Sequence, residues 1–139
     1  MENRPFHFSF LVTDLASTRK FYSNILGCKE GRSTATWIDF DFFGNQISAH
    51  VAEKIPPSSN CGQVDNISVR IPHFGALLLW KQFYELVERL KKAEVQFIIE
   101  PMIRFKDQPS EQATMFLTDF SGNAIEFKSF KHPEHVFTI

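Results

Sequence analysis

The sequence predicts an α+β domain built from two tandem β-α-β-β-β modules. Three observations predict it: two similar successions of strand-like and helix-like segments, a motif that occurs once in each half, and a histidine opening each half. The motif reads Asp41-Phe42-Phe43-Gly44-Asn45-Gln46-Ile47-Ser48 and again Asp119-Phe120-Ser121-Gly122-Asn123-Ala124-Ile125-Glu126, matching at Asp, Phe, Gly, Asn and Ile. His7-Phe8 and His73-Phe74 precede these motifs in the same order. Self-similarity that follows the element order is the mark of a duplicated unit.

Residues 6–13 alternate loosely and are rich in Phe, Leu and Val, as a strand buried on at least one face requires. Asp14 has the short acceptor side chain of a helix N-cap. Residues 15–26 then place Leu15, Phe21, Tyr22, Ile25 and Leu26 on one flank, and Gly27 supplies a left-handed stop. A short strand near 28–32 follows. Strands 36–43 and 46–52 meet at Phe43-Gly44-Asn45, a tight-turn sequence that favours antiparallel pairing. Residues 54–63, rich in Pro, Ser, Asn and Gly, read as a surface connection.

The second half repeats the plan. Residues 73–79 read as a strand, and 80–93 as a helix with Phe83, Leu86, Val87 and Leu90 on one face. A strand over 95–99 is ended by Pro101. The polar loop 104–112 takes most of an insertion relative to the first half. A strand over 114–118, a turn at Ser121-Gly122-Asn123 and a last strand 124–130 complete the module. The expected organisation is one domain over 1–139, with module one at about 5–53, a linker at about 54–64, module two at about 65–130 and a tail 131–139.

Composition narrows the function. A chain of 139 residues suits one core, and 43% hydrophobic with 22% charged residues is a globular balance, not a disordered one. Fifteen Lys and Arg against sixteen Asp and Glu leave a net charge of -1, too little positive charge to neutralise a phosphate backbone, so nucleic acid is not an expected partner. The 16 Phe demand a large core, an apolar pocket or a subunit interface. Cys28 and Cys61 form no CxxC motif and suit a reducing compartment. No apolar run approaches the ~18 residues of a membrane span and no leader-like segment opens the chain, so a cytoplasmic protein without a membrane partner is expected.

If the halves are duplicates, His7 and His73 hold equivalent places on equivalent first strands, and Glu126 lies on the last strand of the second. Pseudo-twofold symmetry can then gather all three. Two imidazoles and one carboxylate form the facial triad that suits non-haem Fe(II), with positions left for substrate and dioxygen, and the same set holds Mn, Ni, Co or Zn. In its Ala-Ile-Glu-Phe context an unpaired buried carboxylate at Glu126 would be costly. The plainer alternatives are structural histidines, and a Glu126 that faces solvent or pairs with a lysine.

At these residues the chain resembles the vicinal oxygen chelate superfamily, which includes glyoxalase I, bleomycin-resistance proteins, fosfomycin-resistance proteins and extradiol dioxygenases. It is most similar to small single-domain dioxygenase-like members. The resemblance rests on His7-Phe8-Ser9-Phe10-Leu11-Val12-Thr13-Asp14-Leu15, Phe21-Tyr22, Leu26-Gly27, His73-Phe74-Gly75 and the run from Asp119 to Phe127. It implies curled sheets forming a cup around a divalent metal, with the family's ligand positions falling on His7, His73 and Glu126. Glyoxalase-type members take a fourth ligand from the last strand of the first module, where the repeat puts Ser48, a poor ligand. His50, two residues on, points to the same side of a strand and is a candidate fourth ligand or acid or base.

The three-donor set makes an extradiol-dioxygenase-like oxygenase with Fe(II), acting on a substrate with vicinal oxygens, the first expectation. Many extradiol enzymes carry four modules, however, and this chain has two. The alternatives are a glyoxalase-like lyase, isomerase or thiol transferase using the metal as a Lewis acid, and a non-catalytic bleomycin-resistance-like binding protein. The expected partners are a small-molecule substrate, aromatic compounds among the candidates, and a second copy in a homodimer. Modules exchanged between subunits would let His7 share its metal with Glu126 of the other chain. Arg104 and Gln112, in the inserted loop with Lys106, are candidate contacts to a polar or anionic substrate group, against the alternative of solvated loop charges. His132-Pro133-Glu134-His135 reads as an exposed tail, not a metal motif.

Overall fold

Alternation in β1 (His7–Val12) decides which side of the first sheet is buried: Phe10 and Val12 are in the core, while His7, Ser9 and Leu11 point outward. In the computed structural model, which describes residues 4–138, the chain falls into two compact units. Unit one runs to Pro57 and includes Asp119–Asn123; unit two holds Ser58–Thr118 and the residues from Ala124 onward.

Unit one continues with α1 (Leu15–Arg19), β2 (Lys29–Ser33), β3 (Trp37–Phe42) and β4 (Asn45–Val51). The strand order is β1-β4-β3-β2, with β1 parallel to β4 and the other pairs antiparallel. Asp14 caps α1 as its side chain predicts, accepting from the Ser17 backbone N–H at 2.7 Å. That bond, with the Ser17 hydroxyl, holds its carboxyl below the usual range. The predicted single helix instead widens after Arg19 into a π-helical stretch over Lys20–Ile25, in which Leu26 N–H bonds Phe21 O at 2.9 Å. There consecutive Phe21 and Tyr22 are both fully buried, with Tyr22 against Phe10, Phe40 and Phe42. Gly27 (φ 78) supplies the expected left-handed stop, and Phe43 (φ 51) with Gly44 (φ 87) makes the two-residue β3–β4 turn.

The turn Asp119–Asn123 is organised by one buried carboxylate. Asp119 accepts from the backbone N–H groups of Ser121 and Asn123, from the Asn123 amide and from the Tyr22 hydroxyl, all within 2.9 Å. Burial, then the Asp119 charge, pushes the Tyr22 hydroxyl well above the usual tyrosine range. Tyr22→Phe should cost about 1.5–3 kcal/mol, the range for a hydrogen bond to a charged group. The raised value also fixes the sign of a pH effect. The folded state favours the neutral phenol, so this contribution is complete below pH ~10 and is lost as pH rises toward the folded value. Thermal unfolding across pH 8–11 (approximate range) should show a decline above pH ~10 that Tyr22→Phe diminishes.

Unit two opens with a hairpin, β5 (Asn60–Val64) and β6 (Ile67–Arg70), and then repeats the module as β7 (Phe74–Leu77), α2 (Trp80–Lys92), β8 (Phe97–Arg104), β9 (Gln112–Thr118) and β10 (Ala124–Phe130). The order β7-β10-β9-β8, with β7 parallel to β10, matches that of unit one. Phe83, Leu86, Val87 and Leu90 form the buried face of α2, and Gln82 Oε1 caps its start by accepting from Leu79 N–H at 3.1 Å. Many of the phenylalanines go to cores: Phe21, Phe40, Phe42, Phe83, Phe116 and Phe127 are fully buried.

Two further expectations need correction. The stretch read as a linker at 54–64 holds β5 from Asn60, and the hairpin turns on Asp65 (φ 46) and Asn66 (φ 68). Its Val64 and Val69 pack on Ile99, Phe116 and Met102. Pro101 does not end its strand: β8 lies at the sheet edge and its register shifts between Ile99 and Met102, so the missing N–H breaks no ladder bond. The tail starts exposed, as expected, and is anchored at its first residue. Lys131 N–H bonds Glu111 O and its Nζ bonds Glu111 Oε1, each at 3.0 Å, before a 3-10 turn at Pro133–His135. Among the described residues no helix is long and apolar enough to cross a membrane.

Candidate functional site

In unit two, β10 and the entry to β7 bring together two of the sequence-predicted residues. His73 Nε2 lies 3.2 Å from Glu126 Oε2. The His73 ring is fixed from two sides: Nδ1 lies 2.7 Å from the Arg70 carbonyl oxygen, and the ring stands edge-on to Phe116 at 4.8 Å. A carbonyl only accepts, so Nδ1 carries the proton and donates. Glu126, 9% exposed, accepts at Oε1 from the Thr114 hydroxyl at 2.8 Å, with Lys128 Nζ 3.5 Å away. Gly75 is the register partner of Glu126, and a Cβ built there would sit 1.5 Å from the Glu126 carbonyl oxygen. Only glycine lets β7 approach this closely. A cavity of about 210 Å³ is lined by His73, Gly75, Leu77, Glu126 and Lys128, among others.

Unit one carries its own polar cluster on the outward face of its sheet. His7 Nδ1 lies 2.9 Å from Gln46 Oε1, and Ser9 Oγ lies 3.0 Å from His7 Nε2. Gln46 Nε2 donates to Asp39 Oδ2 at 3.3 Å. Asp39, 5% exposed, also accepts from the Ser48 hydroxyl at Oδ1 and from Arg32 at 3.4 Å. A cavity of about 380 Å³ adjoins Arg32, Asp39, Asp41, Asn45 and Gln46.

The other predicted residues lie elsewhere. His50 is exposed, with its ring stacked on that of its β3 partner Trp37 at 6.3 Å. Arg104 donates through Nε and a terminal nitrogen to both carboxylate oxygens of Asp65, at 3.2 and 3.3 Å, and lies 4.8 Å over the Phe105 ring, so it tethers the β5–β6 hairpin. Gln112 is buried in β9 with Oε1 unpartnered, two positions along the same face from Thr114. Ser48, at the place of a fourth ligand, holds Asp39. Among the described residues no three His, Cys, Asp or Glu side chains gather as a metal cage. Sequence reasoning missed Asp39, Gln46, Thr114 and Lys128. Strand alternation could have found Lys128, which falls two residues after Glu126 and therefore on the same face.

Residues 4–127 match the Glyoxalase/Bleomycin resistance protein/Dioxygenase superfamily. The chain belongs to that superfamily. A glyoxalase/bleomycin resistance protein/dioxygenase from Alicyclobacillus acidocaldarius is 28% identical, with 99% of this chain and 100% of that one covered and a TM-score of 0.81. Two further solved structures share the fold. A genomically encoded fosfomycin resistance protein from Listeria monocytogenes is 19% identical, covering 93% and 94% of the two chains with a TM-score of 0.67. A glyoxalase family protein from Bacillus anthracis is 16% identical, covering 94% and 97% with a TM-score of 0.65.

Superfamily members commonly use divalent metals, and the donors in unit two fit such an ion. In a neutral ring with its proton on Nδ1 the Nε2 lone pair would face Glu126 Oε2 at 3.2 Å, an arrangement a bound cation stabilises; in a protonated ring Nε2–H donates to the carboxylate. Two donors at right angles on ~2.1 Å metal bonds lie about 3 Å apart, close to the observed separation. Each donor also has an outer partner that fixes its orientation, Arg70 O for the imidazole and the Thr114 hydroxyl for the carboxylate.

Proposed function

We propose that the chain is a metal-dependent enzyme that activates an oxygen-bearing small molecule, with His73, Glu126 and His7 as the residues that hold the ion. The observation that carries the reading is the close approach of His73 Nε2 and Glu126 Oε2, 3.2 Å apart, beside the Lys128 ammonium. His7 enters from its matching place in the repeat and from its outward position on β1. A divalent ion held there supplies Lewis acidity, drawing charge from a coordinated substrate oxygen.

The chain's own residues do the rest. Arg70 O holds the His73 ring in one tautomer, and Thr114 occupies one Glu126 oxygen so that the other faces His73. Lys128 places a cation at the wall of the cavity, where it binds an anionic group of the substrate. Gly75 and Leu77 leave the cavity open beside these groups.

Charge of this kind favours the Lewis-acid branch, glyoxalase-like or acting on an epoxide. The extradiol-like oxygenase with Fe(II) is the second reading, favoured by the His, His, Glu donor set. The branches separate by their need for dioxygen. Protein loaded with Mn(II), Ni(II) or Fe(II) and offered a hemithioacetal, fosfomycin or a catechol should turn over one of the first two without oxygen. Catechol turnover that consumes dioxygen would select the oxygenase instead. Tight binding of an aromatic ligand by metal-free protein, with no turnover, would support the binding-protein alternative. The proposed homodimer is read in the same preparations from the mass in solution.

A further inference from the structure

The outward cluster of unit one contains a chain of hydrogen bonds whose direction is forced at one end. Asp39 is nearly fully buried, and as a carboxylate it only accepts. The amide end of Gln46 that lies 3.3 Å from Asp39 Oδ2 must therefore be the nitrogen. The oxygen end is then turned to His7, 2.9 Å from Nδ1, and can only accept. His7 Nδ1 must carry the proton, so in the neutral ring Nε2 carries the lone pair. The remaining contact is compatible: Ser9 Oγ, 3.0 Å from Nε2, can donate to that lone pair.

We propose that Asp39 and Gln46 are positioning residues that set the tautomer of His7, so that Nε2 is presented as a metal donor. Asp39 acts through Gln46 and touches neither His7 nor the ion. The Ser48 hydroxyl and Arg32 hold the carboxylate in place from its other sides. A reversed amide would set Gln46 Oε1 against Asp39 Oδ2, two acceptors in contact, and would offer an N–H to His7 Nδ1. The imidazole proton would then move to Nε2 and block the donor. The role in metal binding rests on the proposal that His7 is a ligand; the tautomer does not.

The test reads the two parts separately. Two-bond proton–nitrogen correlation spectra of metal-free protein labelled with ¹⁵N-histidine distinguish the two neutral tautomers and the imidazolium directly. His7 should be Nδ1-protonated in the parent protein. In Asp39→Asn the asparagine oxygen stays with the Ser48 hydroxyl and its nitrogen faces Gln46, so the amide reverses and His7 becomes Nε2-protonated. Gln46→Leu, at an exposed position, should give a mixture. Mn(II) affinity should fall roughly 10- to 100-fold in both variants, as for other residues that orient a metal-binding histidine. An Nε2-protonated His7 in the parent, or a tautomer unchanged in both variants, would overturn the proposal. A parent protein that shows the predicted tautomers and yet binds no Mn(II) would leave the relay standing and refute the metal reading instead.

Discussion

Gly75→Ala should cost the protein both its metal binding and a large part of its stability. The added Cβ would lie 1.5 Å from the Glu126 carbonyl oxygen, 2.6 Å from the carbonyl carbon and 3.2 Å from the nitrogen. All three are backbone atoms, so no side chain can rotate away. β7 has to shift from β10, and it does so at the register position of Glu126, two residues from His73. Overpacking of this severity costs about 3 kcal/mol or more. For a chain of this size that is a fall in Tm of roughly 10 °C or more. Because the shift separates His73 from Glu126, divalent-metal affinity should drop more than about 100-fold, beyond the loss usual for a displaced supporting residue. Thermal unfolding and metal titration check the two effects. Native-like values for both would mean that the close approach of β7 to β10 is not what builds the site.

Glu126→Gln separates site from fold in the opposite sense. The substitution keeps the shape, and Thr114 can still donate to the remaining oxygen. The new amide nitrogen faces His73 Nε2 and donates to the lone pair of a neutral ring. Metal-free Glu126→Gln should therefore be as stable as the parent or more so, by about 1 kcal/mol, the net gain of a typical hydrogen bond. Its affinity for Mn(II) or Ni(II) should fall at least about 100-fold, because a charged ligand is gone and the amide hydrogen points at the ion's place. A histidine that is simply a protonated partner of Glu126 predicts the reverse for stability. Removing one charge of a buried pair then costs about 3–5 kcal/mol.

The fold was legible wherever local chemistry matched the final state. β10 appears over Ala124–Phe130, after the Ser121-Gly122-Asn123 turn, as expected, and Gly27 and Phe43-Gly44 end and turn the chain where expected. The hairpin of β5 and β6 was hidden because Asn60-Cys61-Gly62-Gln63 has no apolar alternation. Its stability comes from Val64 and Val69 meeting Ile99 and Phe116, a contact that exists only after the sheet has formed. The reach of β8 past Pro101 was likewise a property of its edge position.

The site divides in the same way. His73 and Glu126 stood out because a repeat and an apolar context marked them. Asp39, Gln46, Thr114 and Lys128 are ordinary polar strand residues. They gain chemistry from register, which sets Asp39 opposite Ser48 and Thr114 opposite Lys128. Arg104 was singled out for its charge in a loop, and the structure gives that charge to Asp65.

Binding of a divalent metal through His73 and Glu126 is tested most directly by elemental analysis of protein purified anaerobically without a metal-affinity tag, beside His73→Ala prepared in the same way. A near-stoichiometric divalent ion is expected in the parent protein, either as purified or after reconstitution, with its loss in the variant. Equal metal content in the two proteins, or none in the parent after reconstitution with iron, manganese, nickel and zinc, would contradict it.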